Sequence, residues 1–207
     1  MLIHFQRLPV TKPIKGVIHI GAHECEERDG YLQYFKISDD NIIWIDALEE
    51  KTKQMKEQKP SLRIFNECIS NKDDETISFM VTNNFQSSSM LNFKTHSVEH
   101  PHIHETNRIS MKTKKLATFY KENGIISSDF NFMNLDIQGA ELLALEGAGD
   151  ILNDIDYIYT EVNINEVYEN CCLLHEIDNF LLKYNFKRVL ISMTNHGWGD
   201  AFYVKSN

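Results

Sequence analysis

Four short apolar runs in this sequence end on residues able to do chemistry. Gly16–Ile20 (GVIHI) runs into Gly21-Ala22-His23, and Asn41–Asp46 (NIIWID) ends in an acid. Phe130–Asp136 (FNFMNLD) ends in another acid, and Ile155–Val162 (IDYIYTEV) brings Glu161 to its end, with Asn163 next. A carboxylate such as Asp46, after a second strand, can accept both hydroxyls of a ribose. It lies 25 residues beyond Gly21, close to the spacing of about 20 in nucleotide-binding βαβ units. Gly21 lets the backbone approach a ligand, and the start of the next helix would offer free N–H groups and a positive dipole. Such a cradle suits a carboxylate, for example that of a methionine moiety. The full G-x-G-x-x-G pattern is absent, which disfavours a pyrophosphate and leaves a phosphate-free nucleoside acceptable. Asp136 and Glu161, at neighbouring strand ends, would line one crevice. There they can hold a cation or take a proton from a hydroxyl. The same residues also serve simply as turn and strand-end acids bonded to backbone, and residue type alone leaves both readings open.

Histidines supply further candidates. His196, in a turn beside Gly197-Trp198, follows a strand and can act as a base near neutral pH. Trp198 offers a face on which a sugar can stack, or a cap on the core. His96, His100, His102 and His104 crowd together, and His100-x-His102-x-His104 would align three rings on one face of an extended chain. We expect no metal there, and expect instead that one of these histidines meets a substrate. Cys25, Cys68, Cys171 and Cys172 form no C-x-x-C pair, so free thiols are expected.

The elements that must position these residues alternate between strand and helix, the pattern of an open, mostly parallel sheet. A helix after Gly21 should place Tyr31, Leu32 and Phe35 on one face. Glu49–Gln58 is the second helix, stopped by Pro60, and Leu62–Ile69 the third strand. Thr76–Val81 reads as an extra strand and 83–107 as a lid or substrate loop. Helices are expected over Lys114–Glu122, from Ala140 to about Gly147, and along the stripe Leu173, Ile177, Phe180, Leu181 and Tyr184. Arg188–Met193 and Ala201–Val204, joined by Thr194-Asn195-His196-Gly197, should close the sheet as an antiparallel hairpin. The expected class is α/β: a Rossmann-like methyltransferase fold forming one domain over 1–207, with 1–14 as an N-terminal extension.

Composition narrows the partners. A net charge of −9 argues against a nucleic acid, whose phosphates demand a basic surface. Lys112, Lys114 and Lys115 read as a solvated face. No apolar run reaches the roughly 18 residues needed to span a membrane, and Met1–Pro13 makes a poor signal peptide, so a cytoplasmic protein is expected.

Together these segments resemble the FkbM family of S-adenosylmethionine-dependent methyltransferases, from about Val17 to Val204. The likeness rests on Val17–His23, Trp44-Ile45-Asp46-Ala47, Ser87-Ser88-Ser89-Met90-Leu91, and Asn134-Leu135-Asp136-Ile137-Gln138-Gly139-Ala140-Glu141-Leu142. Leu145–Ala148, Thr160-Glu161-Val162 and Gly197-Trp198-Gly199-Asp200-Ala201 complete it. The resemblance implies O-methylation, with a sugar, glycan or small metabolite supplying the hydroxyl. It implies that S-adenosylmethionine is held by Gly21-Ala22-His23 and Asp46-Ala47, with Ser70 near the adenine and Asp136 near the methionine amine. Ser88 and Ser89 would border the acceptor, as would Trp198. Asp136, Glu161 and His196 remain the candidate bases. A homo-oligomer that completes the pocket is a further expectation. Two positions depart from the family pattern: Cys25 stands where a glycine is usual, and Asp46 where a glutamate is usual. A non-catalytic, methyltransferase-like binding or scaffold protein is the alternative, and a nicotinamide-dependent oxidoreductase is a weaker third.

Overall fold

A computed structural model describes residues 1–206. In chain order it contains β1 (Val17–Ile20), the single helical turn α1 (Arg28–Gly30) that passes into a π-type turn at Tyr31–Phe35, β2 (Ile42–Asp46) and α2 (Glu49–Gln58). There follow β3 (Arg63–Asn66), β4 (Cys68–Ile69), β5 (Thr76–Thr82), α3 (His96–Glu99), β6 (Glu105–Lys114) and α4 (Leu116–Glu122). The last third holds β7 (Phe132–Leu135), α5 (Glu141–Ala148), β8 (Tyr157–Asn163), α6 (Leu174–Leu182), β9 (Phe186–Met193) and β10 (Trp198–Lys205).

Seven strands form the main sheet in the order β3-β2-β1-β7-β8-β10-β9. Strands β3 through β8 run parallel, while β10 is antiparallel to both its neighbours. This is the mostly parallel sheet closed by an antiparallel pair that the sequence predicts. Chain order reverses between β1 and β7, and that switch point is where open α/β sheets hold ligands.

The central strands β1, β2, β7 and β8 are buried on both faces, so they are mostly apolar rather than alternating with polar residues. Ile18, Ile20, Ile43, Ile45, Met133 and Leu135 pack toward α4, α5 and α6. On the opposite face Val17, Ile42, Trp44, Phe132 and Tyr157 pack with Tyr31 and with Ile3, Phe5 and Leu8 of the N-terminal segment. At about 25 cal/mol per Å² of apolar surface, each fully buried Ile or Phe contributes on the order of 2 kcal/mol. Both side chains facing outward from each strand therefore stabilise the fold.

Four local expectations are corrected. The run 62–69 is two strands, because Cys68–Ile69 leaves the main sheet and pairs with β6 in a small second sheet, β4-β6-β5. Strand β6 begins at Glu105, inside the stretch read as loop, because its backbone pairs along the whole of β5. Tyr184 falls beyond the end of α6, and the turn holding Tyr31 is too short to be a regular helix. Of the lysines, Lys114 pairs with Glu67 and Glu122 (2.6 and 2.9 Å) and Lys112 with Asp74 (3.2 Å). Among the described residues no helix is long and apolar enough to cross a membrane.

Candidate active site

A cavity of about 460 Å³ opens at the C-terminal ends of β1, β2, β7 and β8. Its walls include Gly21, His23, Asp46, Ala47, Ser88, Asp136, Glu161 and Trp198, so most of the expected residues converge. The segment between Asn84 and Ile103 supplies the roof, with Phe85, Ser87, Met90, His96 and His100 among its contacts.

At the β1/β2 side, polar groups are tied to backbone. Asp46 is 9% exposed, and its two oxygens accept the N–H groups of His23 (2.7 Å) and Leu48 (2.8 Å). Burial raises its pKa above the usual carboxylate range, and those two hydrogen bonds oppose the rise. Each oxygen retains lone-pair capacity on the cavity side for a ligand hydroxyl. Gly21 has φ +90°, and a Cβ there would lie 1.8 Å from the carbonyl oxygen of Asp136. The glycine is required to seat the end of β7 against β1, and it also lines the cavity.

The anion cradle expected after β1 is also corrected. The N–H groups of Gly21 and Ala22 both donate to the Ile45 carbonyl, at 2.9 and 3.0 Å. That of His23 goes to Asp46 and that of Glu24 to Glu26. Regular helix starts only at Arg28, so turns rather than a helix terminus follow β1 directly. Ala22 is buried in the core with Trp44 and Tyr31, away from the cavity. The ring of His23 binds Glu26 through Nδ1 at 2.7 Å and leaves Nε2 buried without a partner. Burial is the largest influence on Glu26 and acts upward. The His23 bond and backbone donors outweigh it and hold the carboxyl at about 2.

Cys25 sits at φ +55°, in the left-handed region that glycine adopts without strain. Its thiol points into the core beside Ala22 and Tyr31 and does not line the cavity. Burial pushes its pKa up to about 12. The departure from the family's glycine is therefore a matter of backbone strain, with the ligand space left open. All four cysteines are buried and unbridged.

At the β7/β8 side, side chains bind side chains. The Gln138 amide donates to Asp136 Oδ1 (2.7 Å) and to Glu161 Oε2 (2.8 Å), while its oxygen accepts from the Tyr168 hydroxyl (2.6 Å). Glu141, wholly buried, accepts the N–H groups of Ile137 and Gly139 (both 3.1 Å) and so clasps the turn after β7. Burial pushes Glu141 up to about 7, and burial with neighbouring carboxylates raises Glu161 well above its ordinary value and Asp136 more modestly. Asp200 joins this wall, accepting from the Tyr159 hydroxyl and the Leu2 N–H. His19, beneath the cavity, is held near 4 by burial, and its Nδ1 meets the Tyr31 hydroxyl at 3.0 Å.

Four expected residues lie off the cavity. His196 is exposed and its ring pairs with Glu99 at 2.5 Å, outside the rim. Its turn lies just past the end of β8, where the Ile164 N–H donates to the Gly197 carbonyl, but His100 lines the cavity in its place, ring centroids 5.0 Å apart. Ser70 is buried behind Cys68 and Ile69, which line the cavity instead; its N–H donates to Lys114 O, and its carbonyl packs on Gly147. Ser89 holds the roof to the floor, its hydroxyl donating to Gln138 O at 2.8 Å. Ala22 is the fourth. Sequence reasoning missed Gln138, Tyr168 and Asp200, while of the four crowded histidines His96 and His100 reach the cavity. His96 is 6% exposed, stacks on Phe93 (4.2 Å, 3°) and lines the cavity, and burial with the nearby histidines lowers its pKa to about 4. No group of three or more metal-ligating side chains stands together among the described residues.

Comparison with known proteins fits this arrangement. The chain is 33% identical over 95 residues to the 2-O-methyltransferase NoeI of Sinorhizobium fredii, covering 46% of this chain and 38% of that protein. It thus spans under two fifths of the length of the curated relative it matches. The solved structure of methyltransferase FkbM from Methylobacillus flagellatus KT superposes with a TM-score of 0.55 at 14% identity, over 95% of this chain and 45% of that one. That likeness is one of fold. The family model for the methyltransferase FkbM domain matches residues 19–188, from the strand that carries Gly21 to the strand that closes the sheet. The chain belongs to the FkbM methyltransferase family.

Proposed function

We propose that the protein transfers a methyl group from S-adenosylmethionine to a hydroxyl of a sugar, glycan or small metabolite. The observation that carries this reading is the charge of the cavity. Glu26, Glu27, Asp46, Glu67, Asp136, Glu161 and Asp200 line it, and no lysine or arginine side chain does. Such a wall repels phosphates and suits a ligand that is cationic and phosphate-free. A sulfonium nucleoside with an ammonium group is that kind of ligand; a dinucleotide is not.

The residues present fit the cofactor. Asp46 would take the ribose hydroxyls, Leu48, Cys68, Ile69 and Phe79 the adenine, and Asp136 the ammonium. The bound cofactor supplies an electrophilic methyl carbon on a positively charged sulfur. The chain's own groups do the rest. The roof between Asn84 and Ile103 keeps water from the site and, with Trp198, walls the space left for an acceptor. Glu161, which lines the cavity at the end of β8, receives the hydroxyl proton in its ionised form, while Asp136 is left to the ammonium. The name of the NoeI relative, a 2-O-methyltransferase, supports oxygen as the accepting atom. The non-catalytic alternative loses its main support because Cys25 faces the core.

Calorimetric titration with S-adenosylmethionine and S-adenosylhomocysteine, with NAD as control, tests the reading. Binding of either sulfur nucleoside and not NAD supports it and warrants a transfer assay on a panel of sugars. Binding of NAD alone, or of none of the three, overturns it.

A further inference from the structure

Gln138 occupies an unusual position for its type. Its backbone lies at φ +57°, in the left-handed region, followed by Gly139 at φ +98°. A side chain other than glycine is strained there, so the position calls for a reason to keep one. The turn itself is already held, because Glu141 accepts the N–H groups on either side of Gln138. The side chain is therefore free for another task.

That task is visible in its bonds. One –NH2 group donates both its hydrogens, one to Asp136 and one to Glu161, across two adjacent strand ends. The opposite orientation would turn the amide oxygen toward two carboxylates. The two carboxylates therefore select the orientation seen, which leaves Oε1 to accept from the Tyr168 hydroxyl, itself also 3.2 Å from the Ser87 carbonyl. We propose that Gln138 is the positioning residue of this acid pair: its single amide holds Asp136 and Glu161 side by side and favours their charged forms, ready to receive a cationic group. Tyr168 anchors the far end of the amide through Oε1. Donation to a carboxylate favours its charged form, whereas burial and neighbouring carboxylates favour the protonated one. The other groups bearing on the pair are Glu141 from α5, Asp200 from β10, Glu27 beside α1, His19 from β1, and Tyr159 and Tyr168.

The cationic occupant rests on the proposed function, but the ordering of the pair does not, and the test separates them. In Gln138→Met, which removes the donors and keeps the length, carboxyl titration of the ligand-free protein by 13C NMR should show the Asp136 and Glu161 midpoints raised by about one pH unit. S-adenosylhomocysteine should bind about tenfold more weakly, since a charge-assisted contact is disordered, while adenosine, which lacks the amino-acid arm, should change by about twofold at most. Gln138→Gly should give the same shifts, and glycine is at ease at this φ, so a folding defect in the methionine variant leaves a usable second one. Wild-type midpoints in either folded variant overturn the proposal. If the unaltered protein binds neither nucleoside, the cofactor reading falls, and the carboxyl midpoints still decide the role of Gln138.

Discussion

The two walls of the cavity are built on different principles. At the ends of β1 and β2 a carboxylate is fixed by backbone N–H groups, His23 and Leu48 holding Asp46. At the ends of β7 and β8 carboxylates are arranged by other side chains, Gln138 and Tyr168 above all. Backbone donors cannot reorient without unfolding the turn, so the first wall presents one fixed acceptor whether or not a ligand is present. The second wall orders buried acids through side chains that can turn, so its arrangement can respond to what enters. A nucleoside that is the same in every turnover suits the first arrangement. A centre whose charge changes during transfer suits the second.

The comparison breaks most directly at Asp46. Asp46→Ala removes the acceptor of two buried N–H groups along with the proposed ribose contact. Two lost hydrogen bonds to a charged group, each on the order of 2 kcal/mol, predict an affinity for S-adenosylhomocysteine reduced at least about 100-fold. Saturated turnover should fall far less. An unchanged affinity by calorimetry would remove Asp46 from the site and leave the first wall purely structural.

For the second wall, pH is the sharper tool. Glu141 titrates near 7 in the folded protein, above its ordinary 4.5, because it is buried. A raised carboxyl means the folded state binds more protons than the unfolded one between those values. Its contribution is complete below about 4.5 and is lost as pH rises toward 7, with a slope of at most about 1.4 kcal/mol per pH unit. Glu141→Gln keeps an oxygen for the Ile137 and Gly139 N–H groups and cannot ionise. Urea midpoints should therefore move in the variant's favour relative to wild type as pH climbs from 4.5 to 7. A difference that stays constant with pH would show that burial does not raise Glu141, and that the wall is not the pH-responsive one.

How much of this was legible in sequence follows from the same contrast. Asp46, Asp136 and Glu161 could be read because each ends an apolar run, and a strand's end is a local property. Helix Glu49–Gln58 was legible for its acidic start and the proline after it. Gln138 was quoted in the motif, yet its role depends on a left-handed backbone and on β8 lying beside β7, 23 residues away at Glu161. Asp200 and Tyr159 likewise meet only through the β8/β10 register. Strand β6, ETNRISMKTK, hid because it is mostly exposed and its pattern carries no apolar alternation. The choice among histidines failed for a related reason. His96 and His196 are equally polar in sequence, and only the roof's path brings one to the cavity and leaves the other on Glu99.

That placement gives a smaller expected effect. His196→Ala should leave methyl transfer to any accepted sugar within about twofold of wild type, since an exposed ion pair contributes about 0–1 kcal/mol. A loss of tenfold or more in kcat with cofactor affinity intact would return His196 to the reaction and extend the second wall beyond the rim.

The smallest effect is expected at Cys25, and it tests whether the first wall is complete despite its departure from the family pattern. Two contributions oppose each other in Cys25→Gly. Relief of the left-handed backbone at φ +55° stabilises by about 1 kcal/mol. Loss of a buried thiol from the cluster around Tyr31 and Trp44 costs about the same, since Cys behaves there as a small hydrophobe. Net stability in urea should therefore change by less than about 1 kcal/mol. Affinity for S-adenosylhomocysteine should not change, because the thiol does not line the cavity and the N–H groups around it are already bonded. A tenfold gain in affinity would mean that the strained turn holds His23 and Asp46 away from their working positions. The backbone-fixed wall would then be the adjustable one, and the contrast drawn between the two would be reversed.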